Sequence, residues 1–175
     1  MSSWKPNPTI RRALSNGPRN FAMMALPIIE QLGEKGKKMI YDIVYKDGVK
    51  KGQRLAKLAK DPNDLVEFER ILIEDFAKAD FNTCGFDDPH RQWVVREKNK
   101  CSYTNCLSGG CEENIPQVWQ EMGLDEATIR MLGEISCVPH DLGVRTGYNP
   151  KMKFKFKRLL PRGDECCEWY EELDE

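Results

Sequence analysis

Lys151-Met-Lys-Phe-Lys-Phe-Lys157 alternates without exception, with Met152, Phe154 and Phe156 on one side of an extended chain and four lysines on the other. Successive side chains leave opposite faces of a β-sheet, so a strict period of two predicts a half-buried strand. One dry face and one wet face point to an antiparallel sheet. Downstream, Pro161-Arg-Gly-Asp164 carries turn chemistry, and Cys166 to Tyr170 therefore reads as the returning strand of a hairpin. Adjacent strand residues face opposite ways, so only one of Cys166 and Cys167 can join a given site.

Working back from that strand, Asp125 is placed to cap a helix carrying Ile129, Leu132 and Glu134 up to Cys137. Pro139 is expected to end it, because the residue before a proline is pushed out of helical geometry. Asn114 and Pro116 predict a short helix through Met122, Ser108 to Glu113 a glycine-containing loop, and Trp93-Val-Val95 a strand that delivers Cys101 at its far end. Before Asn82 the pattern is helical. Asn7-Pro8 caps a first helix that stops at Asn16-Gly17-Pro18, and Pro27 opens a second that breaks at Lys46-Asp-Gly48. A third spans about 49–60. Asp61-Pro62 then starts a fourth, whose Leu65, Phe68, Ile71, Leu72 and Phe76 form the clearest apolar face in the chain. Gly33, Gly36, Gly48 and Gly52 lack phosphate-loop spacing and suit helix ends and close helix packing, so no nucleotide cofactor is expected. The fold class is α+β, with a helical part over residues 1–82 and an antiparallel sheet with covering helices over 83–175. The second part is expected to carry the site, and both belong to one domain of 175 residues.

Composition narrows the setting. No segment approaches the roughly 20 apolar residues of a membrane span, and Met1-Ser-Ser-Trp-Lys-Pro lacks the order of a secretory signal. A cytoplasmic protein without a membrane partner is expected. Seven cysteines in such a chain are reduced, metal-bound or catalytic more readily than a disulfide framework. The net charge of -1 hides an asymmetry: residues 1–60 hold 13 Lys/Arg against 4 Asp/Glu, while the last 14 residues hold 7 Asp/Glu against Arg162 alone. These ends can meet within the chain or across a homo-oligomer. The basic residues are dispersed and have no aromatic interleaving, which argues against nucleic acid as a partner.

The chemistry concentrates near Cys137. Glu134 and Cys137 are three apart on a helix, about 5–6 Å at Cβ, and can bind one ion. Zinc accepts Cys and carboxylate ligands, and Cys101 and Cys167 are the further candidates. Cys137 can instead be a nucleophile, with His140 as base and Asp141 as orienting carboxylate, or a small buried apolar side chain. Cys84, Cys106 and Cys111 fall in loops or turns and are read as packing or incidental, and His90 as solvated. The lysines of 151–157 form the wet side of a sheet or, through Lys153 and Lys155 together with Arg145, attract an anionic substrate.

The order of motifs then carries a resemblance. Gly33-Glu-Lys-Gly36 with Tyr41-Asp-Ile-Val44, Gly48-x3-Gly52-x3-Ala56, a strand leading to Cys101, Cys137 with Asp141, Gly147-Tyr148 and the closing Arg162-Gly-Asp-Glu-Cys-Cys-Glu-Trp169 resemble the L-2-amino-thiazoline-4-carboxylic acid hydrolase family. The resemblance implies a hydrolase opening a cyclic C=N compound, a thiazoline carboxylate giving an N-carbamoyl cysteine. It carries Cys137 and Asp141 over as reacting-site candidates and Cys167 as a further matched position. Cys101-Ser102 stands where the family tends to have Cys-Pro. The closing half also resembles 4-vinyl reductase type domains, whose zinc-containing members imply Cys101, Glu134, Cys137 and Cys167 as ligands.

The expectation is a hydrolase cleaving a cyclic amidine or amide C–N bond, by zinc-activated water or by Cys137 with His140 and Asp141. Arg145, Lys153 and Lys155 would hold a substrate carboxylate. The alternative is a zinc-containing small-molecule-binding or sensor module without catalysis.

Overall fold

A computed structural model describes residues 8–78, 91–97, 100–105, 111–165 and 167–173, with side chains described over 16–72, 74, 115–165 and 167–173. Helices α1 (Pro8–Leu32), α2 (Glu34–Ala56) and α3 (Leu65–Lys78) come first. Strands β1 (Arg91–Glu97) and β2 (Lys100–Asn105), helices α4 (Cys111–Glu121) and α5 (Glu126–Tyr148), and strands β3 (Met152–Arg158) and β4 (Cys167–Leu173) follow. All neighbouring strands are antiparallel, in the order β1-β2-β4-β3. The α+β class is as expected.

The alternating strand behaves as its pattern requires. Met152, Phe154 and Phe156 lie opposite Leu173, Glu171 and Trp169 of β4, and this row faces the helices. On the other face Lys153 stands opposite Glu172 and Lys157 binds Glu168 at 3.2 Å. The acidic end of the chain thus meets the lysines of the preceding strand. A single turn of 3-10 helix (Leu160–Arg162), Gly163 at φ 92 and a bond from the Leu159 amide to Asp164 close the β3–β4 connection, as the turn residues predict.

Several helix boundaries differ from expectation. Neither Gly17-Pro18 nor Pro27 interrupts α1; the chain turns instead at Gly33, whose φ of 55 favours glycine. Gly48 does not break α2 either. It lies where α2 and α5 meet backbone to backbone: a Cβ on Gly48 would come to 3.1 Å from the His140 carbonyl carbon, and one on Gly147 to 2.8 Å from Val49. Gly52 and Gly143 are equally crowded. The start of α3 is capped by Asp64, which accepts from the Val66 and Glu67 amides, three residues beyond the expected Asp61. Leu65, Phe68 and Leu72 are buried as the helical spacing predicts.

The largest departure is in α5. Asp125 caps it, accepting from the Thr128 amide at 2.7 Å, but the helix continues through Pro139 to Tyr148. Proline removes one helical hydrogen bond at a cost of about 3 kcal/mol. Burial of Gly143, Val144, Arg145 and Tyr148 in the turns beyond it outweighs that loss, since each large buried side chain is worth about 1.5–3 kcal/mol. Cys137 therefore sits at the midpoint of α5, and the helix dipole, felt within the terminal turns, neither favours nor disfavours its thiolate. In the first half of the sheet, Cys101 belongs to β2 and not to the end of the strand at 93–95, and α4 begins at Cys111, ahead of Asn114. Cys84, His90, Cys106 and Cys166 lie outside the described residues.

Candidate active site

Between the helices and the inner face of β3 and β4 lies a cavity of about 350 Å³, a size typical of small-molecule sites. Its walls are mostly aromatic and aliphatic: Phe21 of α1, Val44 of α2, Ile115 and Trp119 of α4, Phe156 of β3 and Trp169 of β4. Trp119 is fixed by donating its indole N–H to the Pro18 carbonyl at 2.9 Å, which ties α4 to α1 at the cavity edge. The N-terminal helices therefore wall a site expected in the second half alone.

The polar groups come mainly from one face of α5. Ser136, Cys137, His140 and Asp141 all line the cavity, as spacings of three and four residues demand. Cys167, the cysteine of the pair that the family resemblance carries over, joins them from β4. In the turn of α5 that bears Cys137, Ser136 Oγ donates back to the Leu132 carbonyl at 2.7 Å and lies 3.6 Å from Cys137 Sγ, and Pro139 follows two residues on. On the far side of this turn, the Gly48 contact presses α2 directly against the His140 backbone.

Asp141 connects the cavity to a buried charge cluster. Its Oδ1 lies 3.4 Å from His140 Nδ1 and accepts from Arg145 at 3.3 Å. Arg145 is 2% exposed, donates through Nε to Glu171 at 2.7 Å and approaches Glu69 at 3.6 Å. Its guanidinium packs over the rings of Phe154, Phe68 and Trp169 at 4.5, 5.4 and 5.5 Å from their centroids. Burial would raise the Asp141 carboxyl, but the His140 hydrogen bond and the Arg145 charge hold it below the usual aspartate value. Glu69 goes the other way: burial, reinforced by the adjacent Glu171, pushes it well above the usual glutamate range.

The expected site residues are thus sorted by geometry. Cys137, His140, Asp141 and Cys167 converge on the cavity. Arg145 lies behind Asp141, engaged by carboxylates of the protein, and does not face the cavity. Lys153 and Lys155 are on the outer face of the sheet, Lys155 over the Tyr170 ring; the pleat that turns the half-buried Phe154 and Phe156 inward sends the lysines outward. The four zinc donors are not brought together. Glu134 accepts from Arg162 through both oxygens, at 2.6 and 3.1 Å. Cys101 stands opposite Glu171, whereas Cys167 stands opposite Asn105. That is four residues, or roughly 13 Å, along the strand, beyond the span of two cysteines with Zn–S bonds of about 2.3 Å. Among the described residues no group of three or more His, Cys, Asp and Glu side chains is placed to hold a metal ion.

Glu69 and Glu171 were not expected, although the pattern holds a signal for each. Glu171 shares the inward parity of Cys167 and Trp169, and Glu69 follows Leu65 by one helical turn. An acid on an otherwise apolar face implies a buried cation; only the fold identifies it as Arg145.

Helices covering one face of an antiparallel sheet, with a mostly apolar cavity between the layers, define the class: an α+β protein with an internal small-molecule-sized chamber. Within it, the sequence profile of the L-2-amino-thiazoline-4-carboxylic acid hydrolase family matches residues 19–170, and the chain belongs to that family. Two solved structures share the fold. The phenol-responsive sensory domain of the transcription activator PoxR, with phenol, is 10% identical at a TM-score of 0.52, with 91% of this chain and 74% of that chain covered. A trafficking protein particle complex subunit 3 from Naegleria fowleri, covalently bound to palmitic acid, is 14% identical at a TM-score of 0.50, with 93% and 96% covered. No curated protein sequence matches. No helix among the described residues is long and apolar enough to cross a membrane.

Proposed function

We propose that the protein hydrolyses a small cyclic amidine-type compound in this cavity, with Cys137 as nucleophile, His140 as proton carrier and Asp141 as the group that orients His140. The convergence of these three side chains from one face of α5 on a single cavity carries the reading, and membership of a family named for a hydrolase supports it. Cys137 gives its proton to His140 and adds through sulfur to the electron-poor ring carbon, and His140 passes that proton to the ring heteroatom as its bond to this carbon opens, nitrogen in an amidine ring and sulfur in a thiazoline. Water then displaces the Cys137 sulfur from that carbon, with His140 taking the proton back, so one water is consumed and the thiol returns. Arg145 anchors Asp141 from behind and has no contact with substrate. No step is assigned to zinc, since the donors implied for it lie apart.

The test is turnover of a panel of cyclic amidines, isothioureas and cyclic ureas by wild type and Cys137→Ala, with metal content measured on the same preparations. Loss of turnover by 100-fold or more in the variant, on the scale of nucleophile removal, with a native melting curve, is the expected result. Unchanged turnover in Cys137→Ala sinks the nucleophile. A second reading, a binding module without catalysis, is favoured by the mostly apolar lining and by the fold shared with a phenol-responsive domain; it predicts saturable binding of panel members and no turnover of any.

A further inference from the structure

Two apolar clusters divide the cavity between them. On the sheet side, Cys137 and Phe156 pack against the cluster that holds Cys167 and Trp169. On the helix side, Phe21, Val44 and Ile115, from α1, α2 and α4, pack against the cluster that holds Trp119. All of these side chains line the same cavity, so it runs from the thiols at the sheet into the helical layer. Ser136, His140 and Asp141 stand beside Cys137 on α5, which fixes the end where a ring must sit to react. The helix-side end is preformed: Trp119 is 1% exposed and donates its indole N–H to the Pro18 carbonyl at 2.9 Å. Size then decides what fills it. An apolar protein cavity of about 150 Å³ accommodates one benzene ring, whereas this one measures about 350 Å³. A single five-membered ring held at Cys137, with or without a carboxylate, leaves the space between Phe21, Val44, Ile115 and Trp119 unfilled, and atoms that face a void lose their contacts.

We infer that the substrate is a cyclic amidine-type ring carrying a compact apolar substituent, branched alkyl or phenyl, with the ring at Cys137 and the substituent between Phe21, Val44, Ile115 and Trp119. The inference rests on the cavity being the substrate site. It adds a substituent to the carboxylated ring in the family's name and leaves that ring in place. Aromatic walls accept flat and branched groups alike, and burying one such group is worth a factor of about 10 to 100 in affinity. Trp119 and Trp169 line the cavity, so intrinsic fluorescence reports occupancy. The probes are 2-aminothiazoline-4-carboxylate and two derivatives of it, one bearing isobutyl on the exocyclic nitrogen and one bearing phenyl on ring carbon 5. Affinities are titrated by fluorescence and calorimetry on full-length Cys137→Ala, which cannot complete the proposed reaction. Ring opening of all three is followed by chromatography on wild type.

At least one derivative is expected to bind tighter than the unsubstituted acid by about tenfold or more. Val44→Phe, in the same background, grows a side chain into the helix-side end and should bring that ratio down to within about twofold of one. Ile115→Phe makes the same test from α4 if Val44→Phe does not fold. A gain below about tenfold from both derivatives, or no binding of any of the three, overturns the inference. So does a ratio left unchanged by a folded Val44→Phe. The two readings fail separately. An unsubstituted acid that is preferred and hydrolysed removes the substituent and keeps the hydrolase; a derivative that binds as expected, with none of the three opened by wild type, does the reverse.

Discussion

Replacing Arg145 by methionine tests the buried cluster most sharply, because methionine keeps the length and apolar stem while deleting the charge. In the native chain that charge sits at 2% exposure, 2.7 Å from Glu171, which is itself fully buried, and 3.3 Å from Asp141. Breaking a buried pair from one side leaves an uncompensated charge and costs about 3–5 kcal/mol. The separate parts agree in size: a charge-assisted hydrogen bond is worth about 1.5–3 kcal/mol and the aromatic packing of the guanidinium about 0.5–2. At a urea slope of about 2 kcal/mol per molar, the unfolding midpoint should fall by roughly 2 M. The decisive comparison is the double variant Arg145→Met with Glu171→Leu, which removes both charges and should recover most of the loss, since buried pairs exchange for apolar groups at little net cost. Asp141, 29% exposed, can then be solvated. A single variant that loses less than about 1 kcal/mol, or a double variant no better than the single, would refute the cluster as the link between α5 and β4.

Three other outcomes are expected. Gly48→Ala should cost about 1–3 kcal/mol or more, because its Cβ meets the His140 backbone and not a movable side chain; thermal melts give the loss, and kcat should fall more than KM rises as His140 is displaced. Burial and the adjacent Glu171 raise the folded pKa of Glu69 above the ordinary glutamate value. Its contribution is therefore complete below about pH 4.5 and is lost as pH rises through the raised value. Glu69→Gln, which does not titrate, should gain on wild type between pH 5 and pH 8, and a stability difference constant across that range would contradict the assignment. Glu134→Gln should change stability by less than about 1 kcal/mol, because both it and Arg162 are 30–40% exposed, and should leave turnover unaltered; a large fall in activity would return Glu134 to the site.

Much of the candidate site was legible because it depends on local periodicity. A period of two in Lys151–Lys157 set the sheet face, and alternation in the returning strand let only one of Cys166 and Cys167 join a given site. Spacings of three and four put Cys137, His140 and Asp141 on one helical face only because α5 continues through Pro139, where the sequence reading ends the helix. Periodicity says nothing about which distant groups meet. Arg145, Lys153 and Lys155 looked alike as cations near an acidic end, and Cys101, Glu134 and Cys167 looked alike as donors.

Proline and glycine were misread for a related reason. Gly17-Pro18, Pro27, Gly48 and Pro139 all carry local penalties for helix, and a sequence lists penalties without what offsets them. The offset lies in packing: α2 and α5 approach closely enough for glycine backbones to touch, and that burial carries both helices across the breaks. The sequence by itself determined the α+β class and the inward face of the last two strands, because each follows from side-chain period along one element. Only the tertiary structure decided that Arg145 answers Glu171 and Asp141 instead of a ligand, that the lysines face away, that Cys101 stands far from Cys167, and that α1, α2 and α4 close the cavity. Those facts depend on distances between elements, which burial and charge pairing set and local pattern does not encode.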